Sequence, residues 1–478
     1  MQKSIIFRWW KQAFLPLSFI FSSLLNFAFY YLGLAFLENP ARSYGFILGN
    51  MVFAVSSGIT LLFVLRRYRL TKLSWGLLSA VMAFYVVCYG AGLLSTSSRS
   101  VIMGYIPKFI IFCLPAFFAG ICGALWQAEK SFFYVLEQLS FFVFPAALIY
   151  VNGALFNCNP FGYGAYLGII GYMPFAYTIL PFLLTLMFRF SDKEDLILPI
   201  LKRKSGHPQL IRGVFIVVFW LAIIASGTRG AYVGALVFFF LLVFSKLIHR
   251  EPWKQPMILS LCLLCIFLFN LYIYAPPGFQ GVHRMDVFLD GLKEGQLVTD
   301  TSEVTDIDDK LGDLVNADGN QQVTNRPNEG DSEAETPSQE PGEEDIAAEN
   351  LQIGNRGTLF KLAIGEFMKD PLTGMGPGGY EVKYGNNPHN VILEILCETG
   401  IFGTIVWLGL IVLAIVLLIR KGWTNKPVRY LLLFFLIYAV RANIGGYVWT
   451  CSYILCALGY GLTIPQGNKQ PLVSPPPQ

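Results

Sequence analysis

The chain has 478 residues, of which 54% are hydrophobic, 15% aromatic and only 14% charged, and its mean hydropathy is +0.53. A soluble domain carries about 25% charged residues, so the composition excludes a water-soluble globular enzyme and any disordered class. The net charge of +4 conceals a split: residues 285–350 hold nineteen Asp/Glu against three Lys/Arg, which leaves +20 on the rest.

Apolar runs fall at 14–37, 45–65, 75–95, 101–125, 132–151, 165–188, 213–227, 231–247, 256–274, 401–419, 428–444 and 446–464. Each approaches the roughly 20 residues that cross a bilayer as a helix. The first follows Lys3, Arg8 and Lys11 and is too long for a signal-peptide core, so it reads as an uncleaved span. Short cytoplasmic loops collect Lys and Arg. With the N-terminus inside, 22 of the 35 basic residues fall on the cytoplasmic side, among them Arg66, Arg67, Arg189, Lys246, Lys426 and Arg429. The expectation is an all-α polytopic membrane protein of about twelve transmembrane helices. Residues 1–274 carry spans one to nine and 275–390 form one large extracytoplasmic segment. Residues 391–465 hold a helix and spans ten to twelve, and 466–478 are a cytoplasmic tail.

Most of the nine cysteines lie inside apolar runs, where a free thiol behaves as a small hydrophobe. Cys262 and Cys265 have CxxC spacing, but no second pair or ligating His accompanies them, so neither a metal nor a redox centre is expected. Residues 293–350, acidic and poor in aromatics, bury too little apolar surface to offset their ordering entropy and are predicted to be disordered. From Gly354 the character changes. Asn355 can cap a helix over 358–368 with an apolar stripe of Leu359, Leu362, Ala363 and Phe367. Pro371 ends it, a glycine-rich turn follows at 374–379, and Pro388-His389-Asn390 leads into another helix.

Ionisable residues at the outer membrane face carry a functional hypothesis by default. Arg229 opens a span after the tight Ser226-Gly-Thr turn, on the side where topology does not call for a cation. Arg356 sits in the first turn of the extracytoplasmic helix, where it opposes the helix dipole. His389 stands at the membrane boundary, and a neutral imidazole can take a proton from a sugar hydroxyl near pH 7. Arg441, near the outer end of the eleventh span, fits either a headgroup anchor or a site residue, and Lys108 is similar. Asn390 can cap the helix after His389. Glu394 and Glu398 lie one turn apart on it, to orient the His, pair with a cation or face water. No nucleophile elbow, Walker loop, Rossmann fingerprint or zinc pattern occurs. Without a metal, the forked donors of Arg are the natural holders of a pyrophosphate.

His389-Asn390, nine residues, then Gly400-Ile-Phe-Gly403 resembles the signature of the bacterial O-antigen ligase and O-antigen polymerase family. The Thr228-Arg229-Gly230 turn, and Arg356 followed by a helix, Pro371 and a glycine-rich turn, are similar to it as well. The resemblance runs from about residue 211 to 419. The acidic insert at 293–350 departs from the pattern. The resemblance implies a GT-C-like membrane glycosyltransferase of the bacterial cytoplasmic membrane, working on its outer face without metal or cofactor. The donor it implies is a glycan on polyprenyl pyrophosphate. The acceptor would be another lipid-linked glycan in a polymerase, or the lipid A core of lipopolysaccharide in a ligase. By matching positions Arg229 and Arg356 would hold the pyrophosphate and His389 would activate the acceptor, with Arg441, Asn390 and Glu394 as supporting candidates. A flippase and a chain-length regulator are candidate partners, and no nucleic acid is implied. Pro388 and the glutamates after His389 look more like the polymerase branch. A lipid-linked oligosaccharide flippase or transporter is the rival class, although transporters place polar residues at mid-membrane and here they gather at one face.

Overall fold

A computed structural model describes residues 2–31, 44–156, 172–193, 195–196, 206–226, 228–272, 356–445 and 448–465. The predicted disordered insert at 293–350 and the cytoplasmic tail lie outside the described residues. The described residues form helices, with one isolated β-bridge between Leu70 and Pro465 and no strand. In chain order they are α1 (Gln2–Tyr31), α2 (Tyr44–Arg67), α3 (Lys72–Leu94), α4 (Arg99–Lys108), a π-helical turn (Phe109–Cys113), α5 (Leu114–Trp126) and α6 (Glu129–Phe156). Then follow α7 (Tyr172–Asp192), α8 (Pro208–Ala225), α9 (Arg229–Ile248), α10 (Lys254–Tyr272), α11 (Arg356–Lys369), α12 (Gly379–Tyr384), α13 (Val391–Thr424), α14 (Lys426–Gly445) and α15 (Ser452–Gly461).

Among the described residues, seven helices are long and apolar enough to cross a membrane, α2, α3, α9 and α13 being four of them. The remaining predicted apolar runs also contain helices, α15 being the shortest at 10 residues. The chain is an all-α polytopic membrane protein. Its outer surface agrees: Leu48, Val52, Val55, Ile59 and Leu62 form an exposed row along α2, and Phe402, Ile405, Val412 and Ile419 do the same along α13. Apolar rows of that length on a single helix face belong against acyl chains rather than water.

Inside, α5 and α15 touch backbone to backbone. A Cβ on Gly120 would stand 2.2 Å from the Cys456 carbonyl oxygen, and one on Gly459 would stand 2.4 Å from that of Phe117. Small residues permit this approach, which van der Waals packing then rewards in lipid.

One end of the bundle is laced by charge. Glu137 of α6 pairs with Arg212 of α8 at 2.6 Å and with Arg189 of α7, and the Glu137 and Arg212 side chains are fully buried. Nearby, Asp192 accepts from Lys246 at 2.9 Å and Lys426 at 2.8 Å, while Glu251 meets Lys426 and Arg429. Buried charges persist only when paired, so these sites fix the register of α6 to α9 and α14. Glu137→Ala would leave two guanidinium groups around an empty place. It is expected to lower stability by about 3–5 kcal/mol, read as an earlier loss of the monodisperse peak in thermal-challenge size-exclusion chromatography.

Candidate active site

The end opposite that charged network carries the residues singled out above. The helices α9 and α14 run antiparallel. A Cβ on Gly234 would touch Ile437 at 3.2 Å, whereas Lys246 lies over the Tyr430 ring at 5.9 Å. Arg229, at the start of α9, and Arg441, near the close of α14, therefore share one end. The turn before Arg229 is closed by Ser226, whose hydroxyl donates to the Ile223 carbonyl at 2.7 Å and accepts the Thr228 N–H at 3.2 Å.

The segment from α11 to α13 is organised around a break in α13. Gly400 has φ 61° and ψ −165°, a conformation closed to residues with a side chain. The break frees donors and acceptors that a continuous helix would pair internally. The chain before it supplies their partners. Met375 N–H donates to the Cys397 carbonyl at 2.9 Å, Gly376 N–H to that of Glu398 at 3.0 Å, and Ile401 N–H to that of Pro371 at 2.9 Å. The contact is too close for side chains: a Cβ on Gly374 would stand 2.6 Å from the Cys397 oxygen, and one on Gly400 would stand 2.3 Å from the Leu372 oxygen. Gly403 of the signature meets no part of the turn: its Cβ would lie 2.2 Å from Thr399 Oγ1, within the same helix. The first glycine after His389-Asn390 thus has a physical reason: Gly400 lets the glycine-rich turn plug the kink.

The helix α11 begins at Arg356 and buries Leu359 and Ala363 against Tyr380 and Cys397, as its apolar stripe predicts. The Tyr380 hydroxyl donates to the Leu359 carbonyl at 2.8 Å, one turn from Arg356. Glu366 accepts from Tyr384 at 2.7 Å and pairs with Lys369 at 2.7 Å and Lys383 at 3.2 Å. Burial pushes the Glu366 carboxyl up, but the Lys369 ammonium, the Tyr384 hydroxyl and Lys383 together overcome it and hold its pKa at about 2. Because that lies below the ordinary value of 4.5, the clasp is complete above pH 4.5 and is lost as pH falls through about 2. The expected result is that α11–α12 gains protease sensitivity only below pH 4.5, whereas Glu366→Gln shows it at pH 7. Limited proteolysis across 370–390 checks this.

His389 lies in the loop between α12 and α13 with φ 51°, in the left-handed region that few non-glycine residues occupy. Asn387 Oδ1 accepts its backbone N–H at 3.2 Å. Backbone strain of this kind gathers at functional sites. Asn390 is the N-cap of α13, its Oδ1 accepting from Ile392 and Leu393 at 3.0 Å each. Its Nδ2 donates to the Asn443 carbonyl at 3.1 Å, which fastens the His389 loop two residues beyond Arg441.

Arg441 is not a headgroup anchor. Its guanidinium carbon lies 3.6 Å over the Tyr177 ring and 5.0 Å from that of Tyr453, so the side chain turns inward among tyrosines of α7 and α15. Nη1 is buried without a hydrogen-bond partner among the described residues. Glu394 does not face water: it is 1% exposed and accepts the Val448 N–H at 2.7 Å. Glu398, also buried, accepts from Gly378 N–H at 2.8 Å, Tyr380 N–H at 3.3 Å and Trp449 Nε1 at 2.6 Å. The pair therefore holds the glycine-rich turn and the α14–α15 connection in place. Sequence reasoning missed Trp449, Asn443 and Tyr177. Only the i, i+4 carboxylates hinted that something distant needed an acceptor.

The His389 loop is thus fastened beside Arg441, at the end of the bundle where α9 begins with Arg229, and α11, which begins with Arg356, packs on the first part of α13. The side chains of Arg229 and Arg356 lie outside the described residues. Fold and site define a polytopic membrane protein whose clasped α11–α13 segment meets the end of the bundle that carries Arg441. Residues 214–408, from α8 past the α13 kink, match the family model described as O-antigen ligase. Over that stretch, about two fifths of the chain, it is similar to the O-antigen ligase/polymerase family, whose members are membrane enzymes. No curated protein matches the chain. Arg229, Arg356, His389 and both signature glycines fall within the matched stretch, and Arg441 lies beyond it.

Proposed function

We propose that the protein is a glycosyltransferase of the bacterial cytoplasmic membrane that polymerises surface polysaccharide from lipid-linked repeat units on the extracytoplasmic face. The observation that carries this reading is the His389 loop fastened beside Arg441 at the end of the bundle where α9 begins with Arg229, opposite the basic, ion-paired end. The donor is a glycan on polyprenyl pyrophosphate. An acceptor sugar hydroxyl attacks the anomeric carbon, the carbon–oxygen bond to the diphosphate breaks, and the hydroxyl proton passes to His389. Polyprenyl diphosphate leaves with the electron pair. Arg229 and Arg356 meet its growing charge through forked, charge-assisted bonds, so the site calls for no metal. Alignment of two membrane-held substrates supplies much of the remaining rate. A ligase acting on lipid A core would use the same groups and differ in its acceptor.

Arg229→Lys and Arg356→Lys test the phosphate role. Each keeps the charge but loses the fork, and each is expected to lower transfer at least tenfold in proteoliposomes supplied with lipid-linked repeat units. Wild-type rates in both variants would remove the arginines from the mechanism. The product separates the two branches: a ladder of lengths marks a polymerase and a single addition a ligase.

A further inference from the structure

The helix α11 has two apolar sides, and the packing described above uses one of them. Its exposed arc carries Ile364 and Met368, continues to Leu372 in the turn after the helix, and is flanked by Lys361 and Lys369. Met368 is 69% and Leu372 is 55% exposed. A helix standing free in water would present polar groups there.

The position of this arc relative to the membrane follows from the kink. The helix α13 has 34 residues, about 51 Å at 1.5 Å per residue, whereas the hydrocarbon core is about 30 Å thick. Its part beyond Gly400 is about 36 Å long, enough to cross by itself, so the kink lies close to a hydrocarbon boundary. The close of α11 is bonded to that point, through Ile401 N–H on the Pro371 carbonyl and the Leu372 backbone against Gly400. The exposed arc is thereby continuous with Ile401, Phe402, Ile405 and Val406, where the lipid-facing row of α13 begins. An apolar arc edged by lysines at the level of the headgroups is the pattern of a helix lying in the interface.

We infer that the C-terminal half of α11 and the turn after it form a bilayer-docking surface. Ile364, Met368 and Leu372 enter the headgroup–acyl boundary beside α13, and Lys361 reaches lipid phosphates. The inference concerns a lipid surface and does not require catalysis. One corollary rests on the transfer reading: docking would set the height of Arg356, at the start of the same helix, against the layer holding the donor diphosphate.

The test uses the full chain in vesicles of neutral phospholipid, with an environment-sensitive fluorescent amino acid encoded at position 368. Lipids bearing a nitroxide near the headgroup should quench it at least half as strongly as the same label at position 402. A label at position 383 should be quenched mainly by aqueous iodide. Adding anionic phospholipid should increase quenching at 368, and Lys361→Glu should remove the increase. Free quenching of the 368 label by iodide but not by lipid would overturn the proposal. So would protection from both quenchers, which would mean that a second copy or another protein covers the arc. Neither readout involves glycan transfer, so failure here and failure of the proposed function are separate results.

Discussion

His389→Ala is expected to lower transfer by about 10²–10⁴-fold, the range that a positioned general base contributes, while membrane insertion and the melting transition stay near those of the wild type. The expectation follows from where the residue sits. Its loop is fixed on one side by the Asn387 side chain and on the other by Asn390, which caps α13 and binds Asn443. That scaffold survives loss of the imidazole. Since φ is 51° at this position, His389→Asn is the cleaner partner variant, because Asn tolerates left-handed backbone. It should fold like the wild type and be as inactive as the Ala variant. Initial rates and thermal unfolding of the three proteins measure both effects.

Gly400→Ala should have the largest structural effect of any single methyl group added to the chain outside the α5–α15 contact. The backbone conformation alone disfavours a side chain by about 1–3 kcal/mol. The added carbon would also stand 2.3 Å from the Leu372 oxygen and 2.6 Å from Thr373 N, both backbone atoms that cannot swing aside. The turn at 371–376 would have to leave the kink and release its bonds to Cys397, Glu398 and Ile401. A total loss of about 3 kcal/mol or more is expected, together with loss of transfer, because Glu398 and the His389 loop share the same framework. Gly409→Ala, further along the same helix and facing open space, should be neutral or slightly stabilising. Thermal unfolding of the two variants side by side makes the comparison.

The all-α membrane class was legible in the sequence because lipid imposes a one-dimensional rule: about 20 apolar residues in a row. The α11 stripe was legible for the same local reason, and Leu359 and Ala363 are buried as their spacing implies. What escaped was long-range. Glu394 and Glu398, read as neighbours on a helix, could orient the His, pair with a cation or face water, but their partners Val448 and Trp449 arrive from over fifty residues further on. Arg441 looks like an interfacial anchor until Tyr177, from a helix far earlier in the chain, covers its guanidinium. Periodicity reports which face of an element is buried, and it says nothing of which distant group satisfies a polar atom there. The glycines after His389 were legible as a motif, but the cause of Gly400, a turn plugged into a broken helix, needed the third dimension.

The most direct measurement is polymer formation by the purified chain in proteoliposomes given polyprenyl-diphosphate-linked repeat units, with the products resolved by size. The account predicts a ladder from the wild type and none from His389→Ala or from the Arg229→Lys, Arg356→Lys double variant, all three proteins being folded and equally inserted. A full ladder from either variant would contradict it.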